Sequence, residues 1–218
     1  MIPDKPNAMR AFSKASRHAL GTILLAAACS VFVRPAIAQV ALEEGLVAYR
    51  SGDYAKAIEL WQPIADKGNS DAQYRLGSMY AEGKGVERND ATALTWFKKA
   101  AEGGNAAAQY NVGASYASGV GVAQSDAEAA KWFKRAANQG MAFAELNLGL
   151  LYASGRGVPQ DNVEAMTWLQ LSLFGLPPGG ARSDVARAMQ DVSSKMTSEQ
   201  LQDAKERART WKSKPETN

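Results

Sequence analysis

The chain has almost no imidazole or thiol. Its 218 residues include one histidine, His18, and one cysteine, Cys29. Both fall in the first 38 residues, a stretch built like a removable address. The rest of the chain cannot form a Ser-His-Asp triad, a cysteine nucleophile, a disulfide framework or a His/Cys zinc site. No serine after position 38 stands three residues before a lysine, so the Ser-x-x-Lys nucleophile is missing too. No apolar run long enough to span a bilayer occurs beyond the address. Hydrophobic residues make up 46% of the chain, enough for one sizeable core or an extended repeat array.

Residues 1 to 18 carry Lys5, Arg10, Lys14 and Arg17 against Asp4 alone. An apolar run from Ala19 to Val33 follows, and Ala36-Ile37-Ala38 then precedes Gln39. A basic head, a short apolar stretch and small-x-small are the parts of a secretory signal peptide, with the cut expected after Ala38. Met9 is an alternative start. Cys29 after three alanines loosely resembles a lipoprotein box, so lipid anchoring is the alternative to a free periplasmic or secreted protein. Beyond position 38 there are 20 bases and 21 acids. The basic balance of the full chain therefore resides in the address, and nothing points to nucleic acid.

What the rest of the chain does have is a repeat. Ala72-Gln73-Tyr74-Arg75-Leu76-Gly77, Tyr80 and Gly83-Lys84-Gly85-Val86 return as Ala108-Gln109-Tyr110-Asn111-Val112-Gly113, Tyr116 and Gly119-Val120-Gly121-Val122. They return again as Ala144-Glu145-Leu146-Asn147-Leu148-Gly149, Tyr152 and Gly155-Arg156-Gly157-Val158. The period is 36 residues, and Trp96, Trp132 and Trp168 keep it. A shorter unit precedes these, marked by Gly45, Gly52-Asp53-Tyr54, Ala57 and Trp61.

Helix chemistry explains each block. Asp71 to Glu82 reads as a helix with an acid at its start and Gly83 as its stop. Gly77, Gly113 and Gly149 would weaken an exposed helix, so their return implies close helix packing. The Gly-x-Gly-Val loops supply glycines for positive φ and a valine to plug the turn. Asn89 or Asp90 caps a second helix whose buried stripe is Ala93, Trp96, Phe97 and Ala100. Trp61, Trp96, Trp132 and Trp168 are placed together on that stripe as core residues, and Tyr80, Tyr116 and Tyr152 as core by the same argument.

These blocks resemble the Sel-one-like repeat, a relative of the tetratricopeptide repeat with a longer loop, over roughly residues 41 to 175. The resemblance implies an all-α fold: a right-handed α-α superhelix of about four helix-turn-helix repeats with a C-terminal capping helix pair. The division expected is signal peptide 1–38, short first repeat 39–70, three repeats 71–175 and cap 176–218. Val112 departs from leucine, Glu145 from glutamine, and Leu169-Gln170-Leu171-Ser172 from the basic-and-alanine pattern of the earlier repeats. The last departure suits a terminal repeat meeting something different. After the break at Leu176-Pro177-Pro178-Gly179-Gly180, two helices are expected, Ala181 to Ser194 and one reaching about Lys212. The second opens on a Thr197/Gln200 capping box, and Ser213 to Asn218 is expected to fray.

The glycine loops lack the strand and the lysine-serine context of a nucleotide site. The scattered acids Glu82, Asp90, Asp126 and Glu128 read as caps and solvated faces rather than a hydrolytic pair. The cysteine-rich secreted relatives linked to β-lactam chemistry carry a disulfide per repeat that this chain cannot make. No enzymatic activity, cofactor or metal is expected. The resemblance implies instead a groove along the first helices, lined by Leu42, Leu46, Tyr49 and Arg50, then Tyr74, Ser78 and Glu82. Tyr110, Ala114 and Ser118 continue it, and Phe143, Leu146, Leu150 and Ser154 complete it. Its partner would be a peptide or protein, such as a membrane sensor or an envelope-assembly component. The alternative is a factor that stacks on peptidoglycan or polysaccharide; a hydrolase is the third reading.

Overall fold

The computed structural model describes residues 38–214. Residues 1–37, the bulk of the stretch expected to be a signal peptide, with His18 and Cys29, lie outside the described residues, as do 215–218. All regular structure among the described residues is helical. Helix α1 covers 38–50. It is followed by α2 (Tyr54–Ala65), α3 (Ser70–Glu82), α4 (Asp90–Glu102), α5 (Ala106–Ser118) and α6 (Asp126–Asn138). Then come α7 (Ala142–Ser154), α8 (Asn162–Gly175), α9 (Gly180–Ser193) and α10 (Ser198–Thr210). From α2 to α9 each helix packs on its neighbour in sequence, as stacked antiparallel hairpins require.

Short polar residues set the helix starts. Asn69, Asn89, Asn105 and Ser125 each accept a hydrogen bond from the backbone N–H three residues on, closing α3, α4, α5 and α6. The acid expected to open the first of these, Asp71, lies inside the helix, and Asn69 is the cap. First helices stop on left-handed glycines, Gly83, Gly119 and Gly155.

Close packing of the two helices of a hairpin depends on one glycine per unit. A Cβ on Gly77 would lie 2.7 Å from the Phe97 ring, and one on Gly113 2.7 Å from Phe133. Gly149 seats Leu169 in the same way, and Gly45 seats Trp61. This pairing corrects the grouping of the tryptophans. The first unit lacks the Gly-x-Gly-Val residues, so its Trp61 occupies the level of Phe97 and Phe133, not that of Trp96. Trp61 is buried, whereas Trp96 and Trp132 are half-buried. Each of the latter packs on the core of the preceding unit. Their remaining faces are covered by cations, Lys99 Nζ at 4.2 Å and Arg135 Cζ at 4.6 Å from the ring centres. Tyr80, Tyr116 and Tyr152 are also half-buried rather than sealed, and Lys98 Nζ donates to the Tyr116 hydroxyl at 2.9 Å.

The second glycine of each loop joins neighbouring units. Gly121 has φ +73°, and a Cβ there would lie 2.5 Å from the Asp90 carbonyl oxygen at the start of α4. Gly85 and Gly157 meet the starts of α2 and α6 in the same way. Turn geometry was legible in sequence; this spacing role between repeats was not.

The two C-terminal helices cover the end of the stack, as expected of a capping pair. Helices α9 and α10 both dock on α8 and make only sparse contact with each other. Buried positions therefore run round α8: Ala165, Met166, Thr167, Trp168, Leu169, Leu171 and Ser172. That explains the apolar drift at Leu169 to Ser172. The Thr197/Gln200 capping box is present. Helix α10 ends at Thr210, before Lys212, and the chain does not fray at once: Lys214 N–H donates to the Asn138 carbonyl at 2.7 Å. Trp211 meets Trp168 edge-on, ring centres 6.2 Å apart.

Candidate functional site

A cavity of about 460 Å³ opens between α3 and α5. Five residues expected in the groove line it: Tyr74, Ser78 and Glu82 from α3, Ala114 and Ser118 from α5. The periodicity that places them is helical, since residues four apart share a face. Phe97 of α4, read in sequence as core, forms part of the wall, and Ala81, Asn111, Ser115 and Val120 complete the lining and were missed. Three of them lie one position beside an expected residue, so a wider stripe on the same face would have included them.

The lining mixes apolar floor with small polar groups. Tyr74 stacks on Phe97 with ring centres 5.8 Å apart, which leaves one edge of Tyr74 for the cavity. Ser78 and Ser118 donate to the carbonyls of Tyr74 and Ala114 at 3.1 and 2.8 Å. Their donors are spent within the helix, and a ligand meets them as acceptors.

At one end of the cavity Glu82 is engaged rather than free. Lys84 Nζ lies 2.7 Å from Glu82 Oε2 and donates to the Tyr49 hydroxyl at 2.7 Å, and Tyr49 in turn donates to Glu82 at 3.1 Å. The bond to Lys84 holds the Glu82 carboxyl below its ordinary range, and Glu82, then Tyr49, holds the Lys84 ammonium above its own. The trio neutralises the mouth, so the cavity offers little net charge. Tyr49 also stacks on Tyr54 and Trp61, so it belongs to the core of the first unit and does not line the cavity. Leu42 and Leu46 pack on the same core, and Arg50 is exposed beside it.

The remaining expected residues lie one repeat further on. Tyr110 stacks on Phe133 at 5.7 Å and on Phe143 at 6.4 Å. Phe143 and Leu150 are each 42% exposed on α7, seven residues apart and so on one face of that helix. Ser154 donates back to Leu150 at 2.8 Å. Leu146 departs from expectation: it packs against the cluster formed by α8, α9 and α10, because the cap reaches round to that side of α7.

Glu145 is the unexpected ionisable group. Gln73 and Gln109, at the same repeat position, donate to the carbonyls of Ala65 and Ala101 at 2.9 and 3.1 Å. Glu145 is 3% exposed there, and burial pushes its carboxyl up to about 7. It stands at the joint between repeats, where Gln73 and Gln109 stand in the units before it. Among the described residues no group of three or more His, Cys, Asp or Glu side chains gathers. No described helix is long and apolar enough to cross a membrane.

Stacked helical hairpins with a groove along their first helices define an all-α repeat superhelix, a class that works by binding. The Sel1 repeat profile matches four consecutive stretches, 35–69, 70–105, 106–141 and 142–173, and the chain belongs to the Sel1 repeat family. The short first unit is thus matched as well. A Sel1 repeat protein from Oxalobacter formigenes of known structure is 34% identical, with a TM-score of 0.62 over 66% of this chain and 59% of that one. A protective antigen of uropathogenic Escherichia coli strains, which displays the same SLR fold, is 26% identical. It has a TM-score of 0.53 over 80% of this chain and 45% of that protein. Two exopolysaccharide production negative regulators match over 49 residues, from Rhizobium meliloti at 41% identity and Rhizobium leguminosarum at 37%. That segment is 22% of this chain and 18% of each regulator. Sel1 repeats generally mediate protein–protein interaction, and this chain carries the architecture that does so.

Proposed function

We propose that the chain is an exported adaptor that holds a peptide or protein segment in the groove along its first helices. The observation carrying this reading is the cavity of about 460 Å³ between α3 and α5, together with exposed Phe143 and Leu150 on α7. A furrow of mixed apolar and small polar groups with little net charge suits an amphipathic segment, whose apolar side chains enter while its backbone meets the polar groups. No bond is made or broken; affinity comes from shape and buried area. The basic head, apolar run and Ala36-Ile37-Ala38 support export to the periplasm, with a sensing or assembly protein of the envelope as partner. The partial likeness to negative regulators of exopolysaccharide production fits a signalling role better than an assembly role.

The polysaccharide-binding alternative has weaker support. Sugar stacking needs an open aromatic face, and those of Trp96 and Trp132 carry Lys99 and Arg135.

Crosslinking and capture from the native envelope test the adaptor, with Ser78→Arg/Ala114→Arg filling the cavity from two positions that are only partly buried. The expected result is a partner recovered by the wild type and lost in the filled variant. Equal recovery by both would remove the groove from the account. Mass spectrometry of the mature N-terminus tests export, with Gln39 expected first.

A further inference from the structure

A second depression, of about 400 Å³, lies between the C-terminal half of α8, the start of α9 and the outer side of α10. Its floor is apolar, with Leu173 and Ala208, and Phe174 stands at its edge 86% exposed. Nothing in the repeat calls for that phenylalanine. In register with it stand Asn138 and Glu102, polar residues at the ends of α6 and α4. Leu173 likewise replaces Ala137 and Ala101, which are fully buried with no more than a methyl group. Phe174 belongs to none of the core clusters among the described residues. Standing beside the apolar floor of Leu173 and Ala208, it extends an exposed apolar patch, the kind of surface that marks a contact site.

Around this floor stand three cations, Arg182 from α9 and Lys205 and Arg209 from α10. Arg209 is held by Glu206 through two hydrogen bonds of 2.8 and 2.7 Å. Arg182 and Lys205 make no ion pair among the described residues. The charge is regional. Residues 176–218 hold eight bases against six acids, and residues 39–175 hold twelve against fifteen. The slot is thus the positive end of a body that is otherwise negative.

We infer that this slot is a second docking site, and that its occupant is an acidic peptide segment with one bulky apolar side chain between its carboxylates. The apolar side chain would lie on Leu173 and Ala208 against Phe174, and the carboxylates would reach Arg182 and Lys205 on opposite walls. A bilayer fits less well, since it offers a flat surface and the cations here surround a concave depression. The groove between α3 and α5 has a neutralised mouth, so the two sites select different partners, and the chain can bridge them.

The test is fluorescence anisotropy with a short fluorescein-labelled peptide, a phenylalanine flanked by aspartates and glutamates, against the same peptide flanked by lysines. The acidic probe is expected to bind saturably, and roughly tenfold more tightly than the basic one. Its affinity should fall roughly tenfold in Phe174→Ser and again in Arg182→Glu/Lys205→Glu. Added salt should weaken it. All three positions are exposed, and unchanged circular dichroism and melting would show that the variants fold. The groove-filled Ser78→Arg/Ala114→Arg protein should bind the probe normally, which separates failure here from failure of the groove. Absence of binding, equal binding of both probes or indifference to Phe174→Ser would overturn the proposal. So would sedimentation with phosphatidylglycerol vesicles that depends on Phe174, which would assign the slot to a membrane surface. Self-association lost in Phe174→Ser would also overturn it, by assigning the slot to a second copy.

Discussion

The second helices α4 and α6 do the same job as α8 in the repeat, yet they solve it differently. In α4 and α6 a phenylalanine and a set of alanines face inward, and the outer side is charged. The repeat tryptophan sits half-buried at the joint with a cation across its open face. Helix α8 is clamped between α7, α9 and α10, and its tryptophan is covered by Trp211 instead of a cation. Inner repeats can keep a wet outer face because neighbours on both sides bury the rest. A terminal repeat has one neighbour missing, and its helix turns apolar so that a different element can cover it.

Four experiments test the contrast between inner repeats and capped end. The largest effect is expected from Phe133→Ala, which empties a site between α5 and α6 and should cost about 3–5 kcal/mol in denaturant unfolding. Phe174→Ser, on the outside of α8, should stay within about 0.5 kcal/mol. Similar costs for the two would contradict the division between repeat core and exposed end.

Gly121→Ala should follow at about 2 kcal/mol, because φ is positive and the Asp90 carbonyl lies 2.5 Å from the new Cβ. Gly180→Ala in the cap meets nothing within 4 Å and should be neutral or slightly stabilising by calorimetry. A neutral Gly121→Ala would mean that the joints between repeats have slack.

Glu145→Gln sharpens the comparison with Gln73 and Gln109. The folded carboxyl is raised to about 7 by burial, above its unfolded value. Its penalty is therefore absent at low pH, grows as pH rises from the ordinary carboxylate range to about 7, and is constant above that. Glutamine should stabilise the protein by roughly 2 kcal/mol at pH 8 and by almost nothing at pH 4. Equal effects at both pH values would mean that the gain is packing and not ionisation.

The smallest expected difference is at the tryptophan faces. Trp211→Ala should cost about 1–2 kcal/mol through lost cover on Trp168, and Lys99→Ala under about 1 kcal/mol. The reverse order would say that the cap is dispensable and the cation is not.

The groove was legible where its residues repeat. Tyr74, Ser78, Glu82, Ala114 and Ser118 stand at helical spacing on first helices, and the structure gathers them around one cavity. It was illegible where a contact comes from outside the repeat. Leu146 is turned to the cap, and Tyr49 is tied to Lys84, a loop residue whose equivalents in the next two repeats are Val120 and Arg156. The register of Trp61 was hidden by the four residues missing from the first loop, since alignment by residue type matched it to the wrong level of the helix.

The helices and their order are legible in residue order alone, because hydrogen bonding within a helix and a 36-residue period are local properties. The sequence also set aside chemistry by histidine or cysteine beyond position 38. Only the tertiary structure decided which side chains stay open: that α9 and α10 both clamp α8, that Trp96 and Trp132 are covered by cations, and that Phe174 is left bare. Exposure depends on what arrives from distant parts of the chain, and periodicity along one helix carries no record of that.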